Sequence, residues 1–296
     1  AAAGEEQADL IIVNSCAVRA KPQEKVFSYI GRVLAQRNGG FPAARKIIVA
    51  GCVAQSEKDA LFAKKVRVDY VVGTHQFYRI GEIVDELSSG HTGLAVGFSR
   101  SWQELVPAAR ARDSAVTAYV SIMEGCDNFC SYCIVPFTRG REKHRPLAAI
   151  LGEAEALAAA GYQEVVLTGV HIGAYGRDRP GAGGGSAGLD LWGLVARLLS
   201  ETGIARLRLS SIEPWDLPEQ AFQLWVDERL CRHLHLPLQS GSDAVLRRMG
   251  RRYTAAEFAA LVATARAAIP GLAVTTDVIV GFPGETDAEF AESLAF

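Results

Sequence analysis

Three of the chain's six cysteines, Cys126, Cys130 and Cys133, fall within eight positions of the stretch GCDNFCSYCIVPFTRGREKHRP, and three arginines and a lysine follow them. The spacing is C-x3-C-x2-C, directly after the apolar run YVSIM. A structural zinc site normally takes four ligands, in paired C-x2-C or H-x3-5-H units; the nearest fourth candidate, His144, stands at an unusual separation. A thiol–disulfide site needs two cysteines, not three. Three thiolates on a short loop suit a [4Fe-4S] cluster with one iron left open to a further ligand.

Two more cysteines share a pattern. Cys16 follows IIVNS and Cys52 follows IIVAG, so parallel packing of those two runs as strands brings both thiols to one sheet edge. Taken alone, such a pair reads first as two core residues. Cys231, in DERLCRHLHL, has no cysteine neighbour and is expected to pack.

The elements that must position these groups are legible as periodicity. DLIIVN, KIIVAGC and VDYVVG alternate with QEKVFSYIGRVLAQR, EKDALFAKK and QFYRIGEIVDEL; Val26, Phe27, Ile30, Val33 and Leu34 share one face of a helix. This predicts a small parallel α/β (Rossmann-like) domain over 1–89 and a polar linker over 90–115. From 116 to 296 the strand candidates TAYVSIM, EVVLTG, RLRLSS, RHLHLPLQS and LAVTTDVIVG alternate with helical stretches, which predicts a second, barrel-like parallel α/β unit; a doubly wound open sheet would give the same pattern. Capping boxes are expected at Thr254/Glu257 and Thr286/Glu289, and RDRPGAGGGSAG, 177–188, reads as a surface loop.

Composition narrows the partners. Of 296 residues, 49% are apolar, enough for ordinary cores, and the net charge of −2 supplies no global basic field for nucleic acid. No run approaches the roughly 20 apolar residues of a membrane span, and AAAGEEQADL lacks signal-peptide character, so a cytoplasmic protein is expected. Without an initiator Met, and ending at ESLAF within a helical pattern, the chain reads as a fragment.

On these residues the chain resembles the radical S-adenosylmethionine (SAM) enzymes, and EGCDNFCSYCIVPFTRGREKHRP is similar to their methylthiotransferase branch. The resemblance runs through NSCAVRAKPQEKV, VAGCVAQ, EVVLTGVHIGAYG, HLHLPLQSGSDAVLRRMGRRYT and DVIVGFPGET. It implies a partial (β/α)6 radical SAM barrel whose cluster, on Cys126, Cys130 and Cys133, binds SAM and cleaves it to a 5′-deoxyadenosyl radical. It also implies a second [4Fe-4S] cluster on Cys16, Cys52 and a cysteine upstream of Ala1. One SAM then methylates a sulfur at that cluster, and the radical from another opens the substrate C–H bond.

Carried over by position, the resemblance places SAM contacts at Thr168 and Gly169, at Ser211 and Glu213, at Gln239 and Ser240, and at Val278, Gly281 and Pro283, with Arg251 or Arg252 pairing a carboxylate. The basic run Arg139, Arg141, Lys143 and Arg145 is expected to meet phosphate or a substrate carboxylate. The family's sixth barrel strand and β-rich RNA-binding domain are not in this sequence, so this extent of chain is expected to bind tRNA weakly.

The expected partners are a tRNA anticodon loop, whose unpaired bases can be splayed into a pocket, and an electron donor such as flavodoxin or ferredoxin. LTGVHIGAYG, with His171, and LSSIEPWDL resemble the class that methylthiolates C2 of N6-threonylcarbamoyladenosine at position 37 of tRNA. The alternatives are isopentenyladenosine in tRNA, an aspartate of a ribosomal protein, and a zinc-stabilised RNA-binding module without catalysis.

Overall fold

A computed structural model of the protein describes residues 8–18, 20–37, 45–63, 68–99, 101–103, 114–177 and 189–296. The chain divides into two compact units, Ala1–Val106 with Cys133–Arg141, and Pro107–Tyr132 with Glu142–Phe296. Most of the loop expected at 177–188 and the greater part of 104–115 lie outside the described residues.

The first unit runs β1 (Leu10–Ser15), α1 (Ala20–Arg37), β2 (Lys46–Gly51), α2 (Cys52–Glu57), α3 (Ala60–Ala63), β3 (Tyr70–Val72), α4 (Ile80–Ser88) and β4 (Gly93–Ala95), and the second piece of chain adds α5 (Val135–Arg139). The sheet order is β1-β2-β3-β4, every pairing parallel. β2 shows why. Ile47 and Val49 enter one core with Val26, Ile30 and Val33 of α1, while Ile48 and Ala50 enter another with Ile83 and Leu87 of α4. A strand apolar on both faces must be covered on both, which helices crossing between parallel strands provide. The expected face of α1 is the buried one, and each fully buried Val or Ile contributes ~1.5–3 kcal/mol.

Two expectations are corrected here. β4 lies inside the stretch read as linker; GLA is too short to show alternation, and its pairing with β3 specifies it. EKDALFAKK is not one helix: α2 starts at Cys52 and ends at Glu57, Lys58 turns through φ 49°, and α3 covers Ala60–Ala63.

The second unit runs β5 (Thr117–Ser121), β6 (Met123–Glu124), β7 (Lys143–His144), α6 (Leu147–Ala159), β8 (Glu164–Thr168), α7 (Leu191–Glu201), β9 (Leu207–Leu209), β10 (His233–His235), α8 (Asp243–Met249), α9 (Ala255–Ala268), β11 (Ala273–Thr275) and α10 (Asp287–Ala295). β5, β8 and β9 pair in parallel, as do β10 and β11, and parallel bridges from Ser211 to His235 and from Gln239 to Val278 continue the series. Five parallel strands in sequential order form the wall of a partial βα barrel, as expected. Ala118, Val120, Val165, Leu167, Leu207, Leu209 and Leu234 share one core with buried residues of α6, α7 and α9. Thr254 and Thr286 cap α9 and α10 through the expected capping boxes.

Candidate metal centre and active site

The cysteine loop springs from a two-residue antiparallel ribbon. Met123 faces His144 and Glu124 faces Lys143, with Lys143 Nζ 2.6 Å from the Glu124 carboxylate, so the loop's two ends are clamped together. Between Cys126 and Cys130 the chain reverses through Phe129 at φ 51°, a left-handed conformation uncommon outside glycine. Ser131 then ties the loop to the end of α8, its backbone N–H donating to Met249 O and its hydroxyl to Arg248 O.

Cys126 and Cys130 are buried, Cys133 is half-buried, and none is in a disulfide. The Asn128 backbone N–H donates to Cys126 Sγ at 3.5 Å, and Arg251 Nη1 approaches Cys130 Sγ at 3.6 Å. N–H groups aimed at cysteine sulfurs are the kind of donor that tunes an iron–sulfur cluster. Three cysteines on one loop, none of them in a disulfide and two of them approached by N–H donors, fit an iron–sulfur cluster.

Arg251 is the most constrained cation of this unit. Its side chain is 1% exposed and forks onto the Glu213 carboxylate through Nη1, at 3.2 Å, and Nη2. Its guanidinium carbon lies 4.9 Å from the Trp215 ring centroid and 5.2 Å from that of Tyr253, whose hydroxyl donates to Pro237 O and Leu238 O. Burial opposes the charge, but hydrogen bonding and attraction to Glu213 outweigh it and raise the guanidinium pKa. The carboxylate expected for Arg251 is thus a protein one; Arg252 lies over Trp215 at 5.7 Å.

His171 is not a loose loop residue. It is 2% exposed, with Nδ1 2.7 Å from Glu142 Oε1 and Nε2 2.6 Å from Asp216 Oδ2, and Asp216 also accepts from Arg177. Burial works against a charged ring, but hydrogen bonds to Asp216, Cys126 and Glu142 prevail and push its pKa up to about 11. Cys126, Glu142 and His171 bring ligand atoms within 4.8 Å of one another, the one such group among the described residues, and His144 is not in it. His144, the fourth ligand that a zinc site on this loop would need, is instead paired in β7 opposite Met123. Glu142 and Asp216 were missed in the sequence; an acid inside a basic run, REKHR, is the signal that marks Glu142.

The expected SAM contacts lie at or beyond the C-terminal ends of β8 to β11. Thr168 closes β8 opposite Ser121, and Gly169 packs so tightly on Met123 that a Cβ would sit 2.8 Å from its Cγ. Ser211 is exposed after β9, and Glu213 holds Arg251. Gln239, at φ 67°, bridges to the exposed Val278; Gly281 and Pro283 are exposed beyond it. Ser240 departs from the pattern: it is fully buried, with its hydroxyl 3.0 Å from Ser293 Oγ of α10, and so does not stand free at the strand end. Cys231 is buried against Arg206 and Glu164, and burial pushes its thiol pKa up.

In the first unit the parallel register sets Ser15 opposite Gly51, so Cys16 and Cys52 emerge side by side at the C-terminal edge. Cys52 is buried; Cys16 is exposed and lines a cavity of 510 Å³ with Asn14, Ser15, Lys21, Lys25 and Tyr29.

The basic run divides in two. Arg139 and Arg141 are exposed, whereas Lys143 is buried against Glu124 and Arg145 is buried against Glu153. The last two are structural, a correction to the expectation that all four meet an anion.

Comparison with known proteins agrees with this geometry. Residues 120–296 match the Radical SAM superfamily, and residues 1–73 match the Uncharacterized protein family UPF0004. The chain belongs to the radical SAM superfamily, whose members use a [4Fe-4S] cluster and SAM. Its relatives lie in the methylthiotransferase branch. It is 44% identical over 299 residues to a tRNA-2-methylthio-N(6)-dimethylallyladenosine synthase of Anaeromyxobacter dehalogenans, covering 99% of this chain and 61% of that protein. It is 40% identical to the protein of that name in Geobacter metallireducens, covering 98% of this chain and 64% of that protein. The chain thus spans less than two thirds of the curated relatives it matches. A solved radical SAM methyltransferase, TsrM of Kitasatospora setae, shares the fold with a TM-score of 0.68 at 18% identity, over 98% of this chain and 60% of that one. The relatives' names specify dimethylallyladenosine, so the threonylcarbamoyl expectation does not match them.

Proposed function

We propose that this chain carries the catalytic part of a tRNA methylthiotransferase that replaces an aromatic C–H of an N6-modified adenosine beside the anticodon with a methylthio group. The observation that carries this is the three-cysteine loop, clamped by β6 and β7 at the head of a parallel βα series, joined in one chain to a sheet whose edge presents Cys16 and Cys52. When bound, the cluster supplies the electron that cleaves SAM and so enables hydrogen abstraction, which polar catalysis cannot perform on a carbon without acidity. Cys126, Cys130 and Cys133 hold it. The turn at Thr168 and Gly169 and the ends of β9, β10 and β11 form the rim at which SAM is oriented, in keeping with parallel βα sites. Cys16 and Cys52 contribute two ligands to a second cluster, and the cavity beside Cys16 gives that edge access from solvent. A small one-electron carrier protein is the reductant.

Dimethylallyladenosine is the substrate the relatives' names favour. One observation keeps threonylcarbamoyladenosine as a second reading. The two stretches that resemble its class, LTGVHIGAYG and LSSIEPWDL, meet at the His171–Asp216 hydrogen bond of 2.6 Å. Expression of the full-length protein in cells lacking their own methylthiotransferases, followed by nucleoside analysis of tRNA, tests both. A methylthio group on dimethylallyladenosine supports the first, one on threonylcarbamoyladenosine the second, and unmodified tRNA refutes the proposal.

A further inference from the structure

Arg251 is positioned for more than holding Glu213. A buried guanidinium usually satisfies its charge with one carboxylate and its remaining donors with backbone oxygens. Here Nη2 reaches Glu213 and Pro237 O, but Nη1 is shared between Glu213 Oε1, at 3.2 Å, and the sulfur of Cys130, at 3.6 Å. The ring faces of Trp215 and Tyr253 fix the guanidinium plane. The next turn of chain is fixed as well, because Ser131 is tied to Arg248 and Met249, just before Arg251. Cys130 is therefore gripped twice, through its sulfur and through its neighbour's backbone.

We propose that Arg251 is a positioning residue for the cluster, donating to the Cys130 sulfur and biasing the cluster toward its reduced state. The inference rests on the assignment of Cys130 as a cluster ligand. Reduction adds a negative charge, and a fixed cation in a site of low dielectric favours the more negative state. Glu213 opposes that bias. The two side chains form a matched couple: removing Arg251 lowers the potential, and removing Glu213, which leaves the cation uncompensated, raises it.

The test is a stepwise dithionite titration, without SAM, of anaerobically reconstituted full-length protein, read by the electron paramagnetic resonance signal of the reduced cluster. Cys16→Ala/Cys52→Ala is the common background, so that only the Cys130 cluster is read. Iron and acid-labile sulfide are measured first. In Arg251→Gln the reduced-to-oxidised ratio at a fixed potential should fall about tenfold, ~59 mV for one electron. In Glu213→Gln it should rise, and Arg251→Lys, which keeps the charge, should stay near wild type. A purely structural role would lower cluster occupancy in each variant without moving the potential in opposite directions. Arg251→Gln with full iron and sulfide and an unchanged potential overturns the inference alone. If Arg251→Gln does not fold, Glu213→Gln decides: an unchanged or lowered potential overturns it. A parent protein that holds no sulfide refutes the cluster assignment, and the inference with it.

Discussion

Gly51 stands so close to Ser15 that a Cβ at Gly51 would lie 2.4 Å from the Ser15 carbonyl oxygen. Its φ of 89° adds a second reason for glycine, since an L side chain is strained there by ~1–2 kcal/mol. This contact closes the β1–β2 pair one residue before Cys16 and Cys52. Gly51→Ala should lower unfolding free energy by about 2 kcal/mol or more in chemical denaturation. On the proposal that Cys16 and Cys52 ligate a second cluster, it should also lower iron there while leaving iron held by the Cys126 loop unchanged.

Cys126→Ala or Cys130→Ala should remove about four iron and four sulfide per chain after reconstitution, the content of one [4Fe-4S] cluster. Cys231→Ala, equally buried but held by Arg206 and Glu164, should retain them. Metal and sulfide analysis of the three variants checks this directly, and equal loss in all three would indicate a folding defect instead.

Asp216→Ala should cost ~3–5 kcal/mol, because it leaves the buried His171 cation without one of its two carboxylates. Arg177, half exposed, can return to water and adds little. Gly173→Ala offers an independent check. Its Cβ would fall 2.4 Å from Asp216 Cβ, so the carboxylate is displaced with its charge kept, and thermal unfolding should shift in the same direction.

Acid should act on α10 through Glu289. Hydrogen bonds from Arg248, then from Thr286, push the Glu289 pKa down from 4.5 to about 2. A depressed carboxylate stabilises the fold above its unfolded pKa, and that contribution is lost as pH falls through the folded value. Glu289→Gln keeps a capping side chain but loses the charge. Its melting temperature should lie below wild type at pH 7, and the gap should close between pH 4.5 and about 2.

How much of this was legible varied with the kind of signal. β2 and β8 announce themselves as apolar runs because a strand covered on both faces carries little polar alternation. β4 does not, since three residues held by pairing have no pattern of their own. The cysteine loop was readable because thiol spacing is itself the chemistry. Its surroundings were not: Glu142, Asp216 and Glu153 matter through partners 29, 45 and 8 residues away in the chain, and single-sequence periodicity carries no pairing information. Arg251 was read as awaiting a carboxylate, while its partner, Glu213, stood in the same set of expected contacts.

The division of the basic run has a consequence for salt dependence. Lys143 and Arg145 are buried against Glu124 and Glu153, whereas Arg139 and Arg141 are exposed. On single-stranded RNA each neutralised phosphate releases counterions equivalent to a slope of about −0.7 in log affinity against log salt. In the proposed RNA complex this loop therefore contributes at most about −1.4 to that slope, half of what phosphate contacts from all four cations would give. On the proposed tRNA function, a steeper measured slope would assign the remaining phosphate contacts to residues outside this loop.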